Sequence, residues 1–415
     1  MVYFAIMKRF TLLALIAVLF VSCASTPDRS KETLAEWRAN NEKSYQPISL
    51  RAFNDSINHA RKSFKNRIPD YALYDESQIV GIAENMLYLQ NPDGGWKKNY
   101  DWARKYARNE LEGQKKALQN VPPLGYELKT NGMQSTLDNR NIYSQIEYLA
   151  LVYQQVPDPR YRECIQRALT WILNAQNPSS GGWTGSDVYG VTYNDDVMTG
   201  TMSTLRDIAN GLPQYQFLGK KVQQQAKDAY DKAIQCVIKT QIKIKQADGT
   251  EILTAWCQQH DHETLEPIWA RAFEPPSITT SESVELVLML MEDPAPSDAL
   301  KKCIVSACDW LLRDDLILKG KKIVRKSAAG EISSKGQYTD YEQVMVDDPD
   351  APALWARMYD LKTMKPVWCD RDRKICESFN DMSKERRNGY AYTGKWVNKI
   401  PEKYGEWKAK FMPGV

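Results

Sequence analysis

Three stretches carry hydrophobic residues at helical spacing and run into the same polar signature. In SQIVGIAENMLYLQ, residues 77–90, Ile79, Ile82, Met86 and Leu89 fall on one face. In YRECIQRALTWILNAQ, residues 161–176, Ile165, Leu169 and Ile172 do the same. The first continues as QNPDGGW (90–96) and the second as QNPSSGGW (176–183). Asn-Pro stops a helix, two glycines let the chain turn sharply, and the tryptophan packs back on the helix it follows. A degraded third copy, AYDKAIQCVIKTQ at 229–241, reaches Trp256 after the excursion DGTEILTA. Helical patterns also run through 139–155, 195–211, 281–292 and 298–313. Paired helices with a recurring turn predict a mainly α chain: an (α/α) toroid or barrel of helical hairpins with small irregular β elements. The turns of such a toroid converge on one concave face, the natural place for a ligand.

The N-terminus follows a different pattern. Lys8 and Arg9 precede TLLALIAVLFV (11–21), an apolar run short for a bilayer span, and Ser22-Cys23 follows. Residues 1–22 read as a lipoprotein-type signal peptide, with Cys23 the lipidated residue and Met7 a second possible start. Ordinary cleavage beside an incidental cysteine is the other reading. Residues 23–50 then read as a tether and packing arm, and 51–415 as the toroid domain. The expected location is the periplasm or outer-membrane surface of a Gram-negative bacterium, with membrane contact only through the lipid. Cleavage before Cys23 removes two basic residues and no acids, so the balance becomes 53 minus 52, or +1. Bulk charge gives no reason to expect nucleic acid. A monomer is the expectation.

Eight cysteines leave seven after Cys23, with no Cys-x-x-Cys. Cys164, Cys236, Cys303 and Cys308 lie in helical patterns and read as small core residues. Cys369 and Cys376 are the one pair for which a bridge stays open.

No nucleophile elbow, phosphate loop or dinucleotide glycine pattern is present. Histidine, the usual general base, occurs three times only. His260 and His262 lie in HDHE (260–263), which reads as a structural turn before a zinc site. Acids gather in STLDN (135–139), around Asp138, and in TYNDDV (192–197), around Asp195 and Asp196, each opening a helix. A cap accounts for one acid at each place. Adjacent carboxylates repel unless a cation joins them, and clustered oxygen ligands suit calcium. Arginines concentrate among aromatic residues: Arg271 in EPIWARAFE (266–274), Arg357 in ALWARMYD (353–360), Arg371 and Arg373 in CDRDRK, and Arg386 and Arg387 in ERRNGYAY. The two Trp-Ala-Arg segments are expected as matching short helices. Arginine pairs bidentately with carboxylates and stacks on aromatic rings, so together these residues describe a groove for a polymer with one carboxylate per sugar.

The motifs GGWKKN (94–99), STLDN…SQI (135–146), YNDD (193–196), WCQQHD…SES (256–283), DDP…PALWARMYD (347–360), CDRD (369–372) and ERRNGYAY (385–392) occur in the order seen in pectate lyases of polysaccharide lyase family ten, which the chain resembles over about residues 70–397. The resemblance implies calcium-assisted β-elimination of α-1,4-polygalacturonate and oligogalacturonides. It implies Arg271 as the Brønsted base at C5 and Arg357, Arg371 and Arg386 as carboxylate grips. Asp138, Asp195 and Asp196 are implied to hold calcium and substrate. Free arginine titrates above about 12, so a base role also implies burial and neighbouring cations that disfavour its protonated form. The chain departs from the family pattern at Arg140-Asn141-Ile142 and Thr184-Gly185-Ser186, which flank the acidic sites, and at Arg373-Lys374. Two other functions remain on the table: a glycoside hydrolase with Asp138 and Asp196 as acid and base, and a non-catalytic pectin-binding lipoprotein.

Overall fold

The computed structural model describes residue 29 and residues 32–121, 132–186, 188–245, 248–332 and 338–413. The segment read as a signal peptide, and Cys23, lie outside the described residues. Twelve α-helices occur among them: α1 (Leu34–Glu42), α2 (Asn54–Ala60), α3 (Ile79–Leu89), α4 (Arg108–Leu118), α5 (Tyr143–Gln155), α6 (Pro159–Ala175), α7 (Val197–Ala209), α8 (Lys220–Thr240), α9 (Thr280–Met291), α10 (Asp298–Leu311), α11 (Lys384–Gly389) and α12 (Ile400–Phe411). The strands form six two-stranded antiparallel pairs.

Amphipathicity sorts the helices into two layers. Helix α9 buries nine of its twelve residues, whereas α8 buries eight of twenty-one along one stripe. A helix buried nearly all round belongs inside and a one-faced helix outside. Accordingly α5, α7 and α9 pack side by side as an inner row, and α6, α8 and α10 each pair with the preceding inner helix. This is the (α/α) toroid expected from the hairpin repeat. Helix α1, in the segment read as an arm, packs on α3 through buried Trp37.

The repeated turns are clamps between hairpins. The indole Nε1 of Trp96, Trp183 and Trp256 donates to the carbonyl of Met86, Ile172 and Val237, each at 2.8 Å, closing the turn on the helix before it. The glutamine ending each helix reaches forward. Gln90 Nε2 bonds Gly94 O and Cys164 O on α6, and Gln176 Nε2 bonds Gly181 O and Ala229 O on α8. Gln241 Nε2 bonds Thr254 O and Cys303 O on α10. Gly94 (φ +101°) and Gly181 (φ +79°) are required here. A Cβ would stand 2.5 Å from Arg167 O and 2.7 Å from Lys232 O. Gln176→Ala strands two carbonyls between neighbouring hairpins. It is expected to cost about 2 kcal/mol, read as a lower urea midpoint at unchanged slope.

The four cysteines read as core residues are buried in α6, α8 and α10. Cys369 and Cys376 are free thiols. Cys369 faces Ile375 and Cys376 faces Trp368 across a short strand pair. Facing residues share a side of the sheet, so these two thiols point to opposite sides and a bridge would need a shift of register.

Candidate active site

The inner helices begin at one end of the toroid, where the turns preceding α5 and α7 touch each other and the second also touches α9. Helix N-termini carry partial positive charge, which favours anions at this end. Both turns are strained. Asn139, Arg140 and Ile142 ahead of α5, and Asp195 and Asp196 ahead of α7, hold φ between +53° and +70°. A β-branched residue such as Ile142 is an outlier there. The acids do not act as caps: Asp196 occupies the position before α7 without a capping hydrogen bond.

The strain turns Asp138 and Asp195 toward each other. Asp138 is 4% exposed. Lys98 Nζ and Ser186 Oγ both donate to its Oδ2, and Lys98 Nζ also bonds Ser186 Oγ at 2.6 Å. Burial opposes its ionisation, but Lys98 and these hydrogen bonds hold its pKa below the usual carboxylate value. For Asp195, burial and the neighbouring Asp138 carboxylate prevail over Arg271 and Arg357 and push the pKa up to about 7. Asp196 turns elsewhere and pairs with Arg140 at 2.6 Å. It lines a separate cavity with Tyr143, Glu147 and Glu285.

Opposite the acids lies an arginine cluster built on two aromatic rings. Arg271 makes a bidentate pair with Glu274, at 2.7 Å from Nε and 2.5 Å from Nη2. Arg357 bonds Glu282 from α9 through Nε (3.0 Å) and Nη2. Arg371 and Arg386 share Glu385 and hold its carboxyl down at about 2, the Arg386 hydrogen bond being the larger cause. The guanidinium groups of Arg271, Arg371 and Arg386 stand 5.1, 5.3 and 4.4 Å from the centre of the Phe273 ring. Arg357 stacks 4.7 Å from Tyr390. Four guanidinium groups therefore face three glutamates, an excess of positive charge suited to carboxylates in a row.

A family model described as pectic acid lyase matches residues 90–401. The chain belongs to the pectic acid lyase family. It is accordingly a polysaccharide lyase, and the hydrolase and the non-catalytic readings fall away. Two solved structures are similar to this lyase. One is a mutant of a family 10 polysaccharide lyase from Cellvibrio cellulosa in complex with trigalaturonic acid, with TM-score 0.61 and 22% identity over 87% of this chain and 99% of that one. The other is a family 10 polysaccharide lyase from Cellvibrio cellulosa, with TM-score 0.61 and 23% identity over 87% of this chain and 98% of that one. At these identities the likeness shows the fold. No curated protein sequence matches the chain.

Several expectations need correction. Neither Trp-Ala-Arg segment is helical: Arg271 lies in a turn, and Arg357 lies between the strands Trp355–Ala356 and Met358–Tyr359. The true repeat is a different one. HDHETLEPIW (260–269) and YDLKTMKPVW (359–368) form the same turn. Asp261 and Asp360 each accept the backbone N–H groups two and three residues on, and Leu265 and Met364 both take positive φ. Trp269 thus corresponds to Trp368 rather than to Trp355. The lyase also does not surround Arg271 with a field that deprotonates it. Burial opposes its charge, but Glu274, with help from Tyr390 and Asp195, outweighs burial, and the pKa is raised. His260 and His262 are structural. His260 Nε2 accepts from Cys257 N, its Nδ1 bonds Leu265 O, and His262 bonds Ser180 and Thr184. Arg387 braces the paired strands Lys321–Ile332 and Tyr338–Asp347 through Gln343 O and Glu342, and Arg373 stacks on Trp269.

Lys98, Gln258, Glu274, Glu282, Glu385 and Tyr390 were not singled out by sequence, and Ser186 only as part of the Thr184-Gly185-Ser186 departure. Glu274 carried a signal, since an acid three residues beyond Arg271 stands within reach of its guanidinium. Glu282 and Tyr390 lie within the quoted motifs SES and ERRNGYAY, but nothing local tied them to Arg357 and Glu274, 75 and 116 residues away respectively.

Proposed function

We propose that this lyase cleaves α-1,4-linked polygalacturonate by β-elimination at the groove between the Asp138–Asp195 pair and the arginine cluster. The observation that carries this reading is four guanidinium groups gathered around Phe273 and Tyr390 opposite two abutting carboxylates. The complex of the Cellvibrio lyase with trigalaturonic acid supports it. Arg357, Arg371 and Arg386 grip uronate carboxylates. Arg271 takes the C5 proton, the C4–O bond breaks, a C4–C5 double bond forms, and the leaving oxygen acquires a proton from solvent. Developing negative charge on the carboxylate is met by the remaining guanidinium groups.

Among the described residues no three acidic, histidine or cysteine side chains gather as a metal cluster. The donors nonetheless fit a hard cation completed by the substrate. Asp138 and Asp195 are pressed together, and Gln259 Oε1 is buried and accepts no hydrogen bond. Calcium bound there would bring positive charge to the uronate carboxylate and acidify the C5 proton. Asp195 is the stronger candidate ligand, because Lys98 already neutralises Asp138 and Arg140 neutralises Asp196.

The raised pKa of Arg271 fixes the sign of the pH dependence. Only the neutral guanidine accepts a proton, and below its pKa that fraction grows about tenfold per pH unit. On this reading kcat/KM climbs from about pH 7 to about pH 10 with a logarithmic slope near one. A plateau reached near neutrality would assign the base to another group.

A further inference from the structure

We infer that Tyr390 is a positioning residue that joins the proposed base to the carboxylate grip. Its ring stands between two guanidinium groups, 5.8 Å from that of Arg271 and 4.7 Å from that of Arg357. Its hydroxyl donates to Glu274 Oε1 at 2.8 Å and accepts from Gln258 Nε2 at 2.7 Å. Gln258 Nε2 also bonds Glu282 Oε1 at 3.0 Å, and that oxygen receives Arg357 Nε. A single circuit therefore runs Arg271–Glu274–Tyr390–Gln258–Glu282–Arg357. It draws on the residue between the strands Trp355–Ala356 and Met358–Tyr359, on α9, on the turn holding Arg271, on the segment just before the strand Gln259–His260 and on the segment after α11. Tyr390 alone in this circuit contributes both its ring and its hydroxyl, so it sets the spacing of the two arginines and the strength of the Arg271–Glu274 pair together.

The hydroxyl has a directional effect. By donating to Glu274 it takes up part of that carboxylate's charge, which weakens the hold of Glu274 on the Arg271 proton. Among the other groups that act on Arg271, Asp195 favours its charged form and Arg371 opposes it; Tyr390 favours it only as a tyrosinate, and burial holds the phenol neutral well above the usual tyrosine value. Neither Asp195 nor Arg371 contacts the tyrosine hydroxyl. Removing the hydroxyl concentrates the charge of Glu274 and leaves Arg271 more fully protonated at any given pH.

The inference rests on Arg271 being the base, and the test keeps the two apart. Tyr390→Phe retains the ring and loses the hydroxyl. The expected result is a kcat lower by about tenfold or more, a KM within about twofold of the parent, and an alkaline limb displaced to higher pH. Tyr390→Leu also removes the ring beside Arg357 and is expected to raise KM for trigalacturonate in addition. A phenylalanine variant with the parent kcat and pH profile overturns the inference, as does one whose loss is wholly in KM. Arg271→Ala is measured in parallel. If it still turns over, the base assignment fails by itself. If it is inactive while the phenylalanine variant matches the parent, only the role of Tyr390 fails.

Discussion

Arg271→Ala is expected to lower turnover of polygalacturonate by at least about 10³-fold while leaving affinity for oligogalacturonides within about tenfold of the parent. The asymmetry follows from the cluster. Arg357, Arg371 and Arg386 keep their own glutamate partners when Arg271 is removed, so three of the four groups that recognise carboxylates remain. What is lost is the guanidinium with the larger of the two arginine effects on Asp195, Arg357 supplying the other. The substitution carries a structural cost that has to be separated from the chemical one. Glu274 is 1% exposed, and stripping its partner leaves a buried, unpaired carboxylate, worth about 3–5 kcal/mol of destabilisation. The double variant Arg271→Ala/Glu274→Gln removes that charge. It is expected to recover most of the stability and none of the turnover. Recovery of turnover with stability would show that Arg271 serves the fold and that the base lies elsewhere.

Asp195→Asn is expected to reduce turnover by about 10²-fold or more, to abolish stimulation by calcium, and to raise stability. The amide keeps the shape and loses the charge that confronts Asp138. Stability rises because the folded-state pKa of Asp195, about 7, lies above its ordinary value of 3.8. A carboxyl with a raised folded pKa is ionised more easily in the unfolded chain, so it erodes stability progressively as pH rises from its unfolded to its folded pKa. The asparagine variant escapes that loss. At pH 8 without calcium its urea midpoint should exceed that of the parent, and calcium should raise the midpoint of the parent alone. Loss of activity with loss of stability would mean that Asp195 is structural. Retained calcium binding by calorimetry, in the presence of trigalacturonate, would move the cation to other ligands.

The toroid was legible because its information is local and repeated. Gln90, Trp96, Gln176 and Trp183 sit at fixed offsets from hydrophobic stripes, and the bonds they make are to carbonyls of their own or the next hairpin. The arginine cluster was legible in composition and illegible in geometry. The shared Trp-Ala-Arg letters suggested two matching helices, but backbone form there is set by the flanking Asp–Thr–Pro–Trp turns, which align Trp269 with Trp368. The pairs Glu282–Arg357, Glu274–Tyr390 and Gln258–Tyr390 span 75, 116 and 132 residues, and such pairings are products of the closed toroid. The acidic side shows the same limit. Asp138, Asp195 and Asp196 look equivalent as letters, yet the left-handed turns send two of them together and give the third to Arg140.

The central claim is elimination at this groove, and ultraviolet absorbance tests it most directly. The purified chain is mixed with polygalacturonate, once with calcium and once with a chelator. Elimination creates a C4–C5 double bond conjugated with the carboxylate, which absorbs where the substrate does not. A signal that rises with calcium, stops with the chelator and is lost in Arg271→Ala is the predicted result. New reducing ends formed without that absorbance would contradict the account, because the bond would then be broken by water and not by removal of the C5 proton.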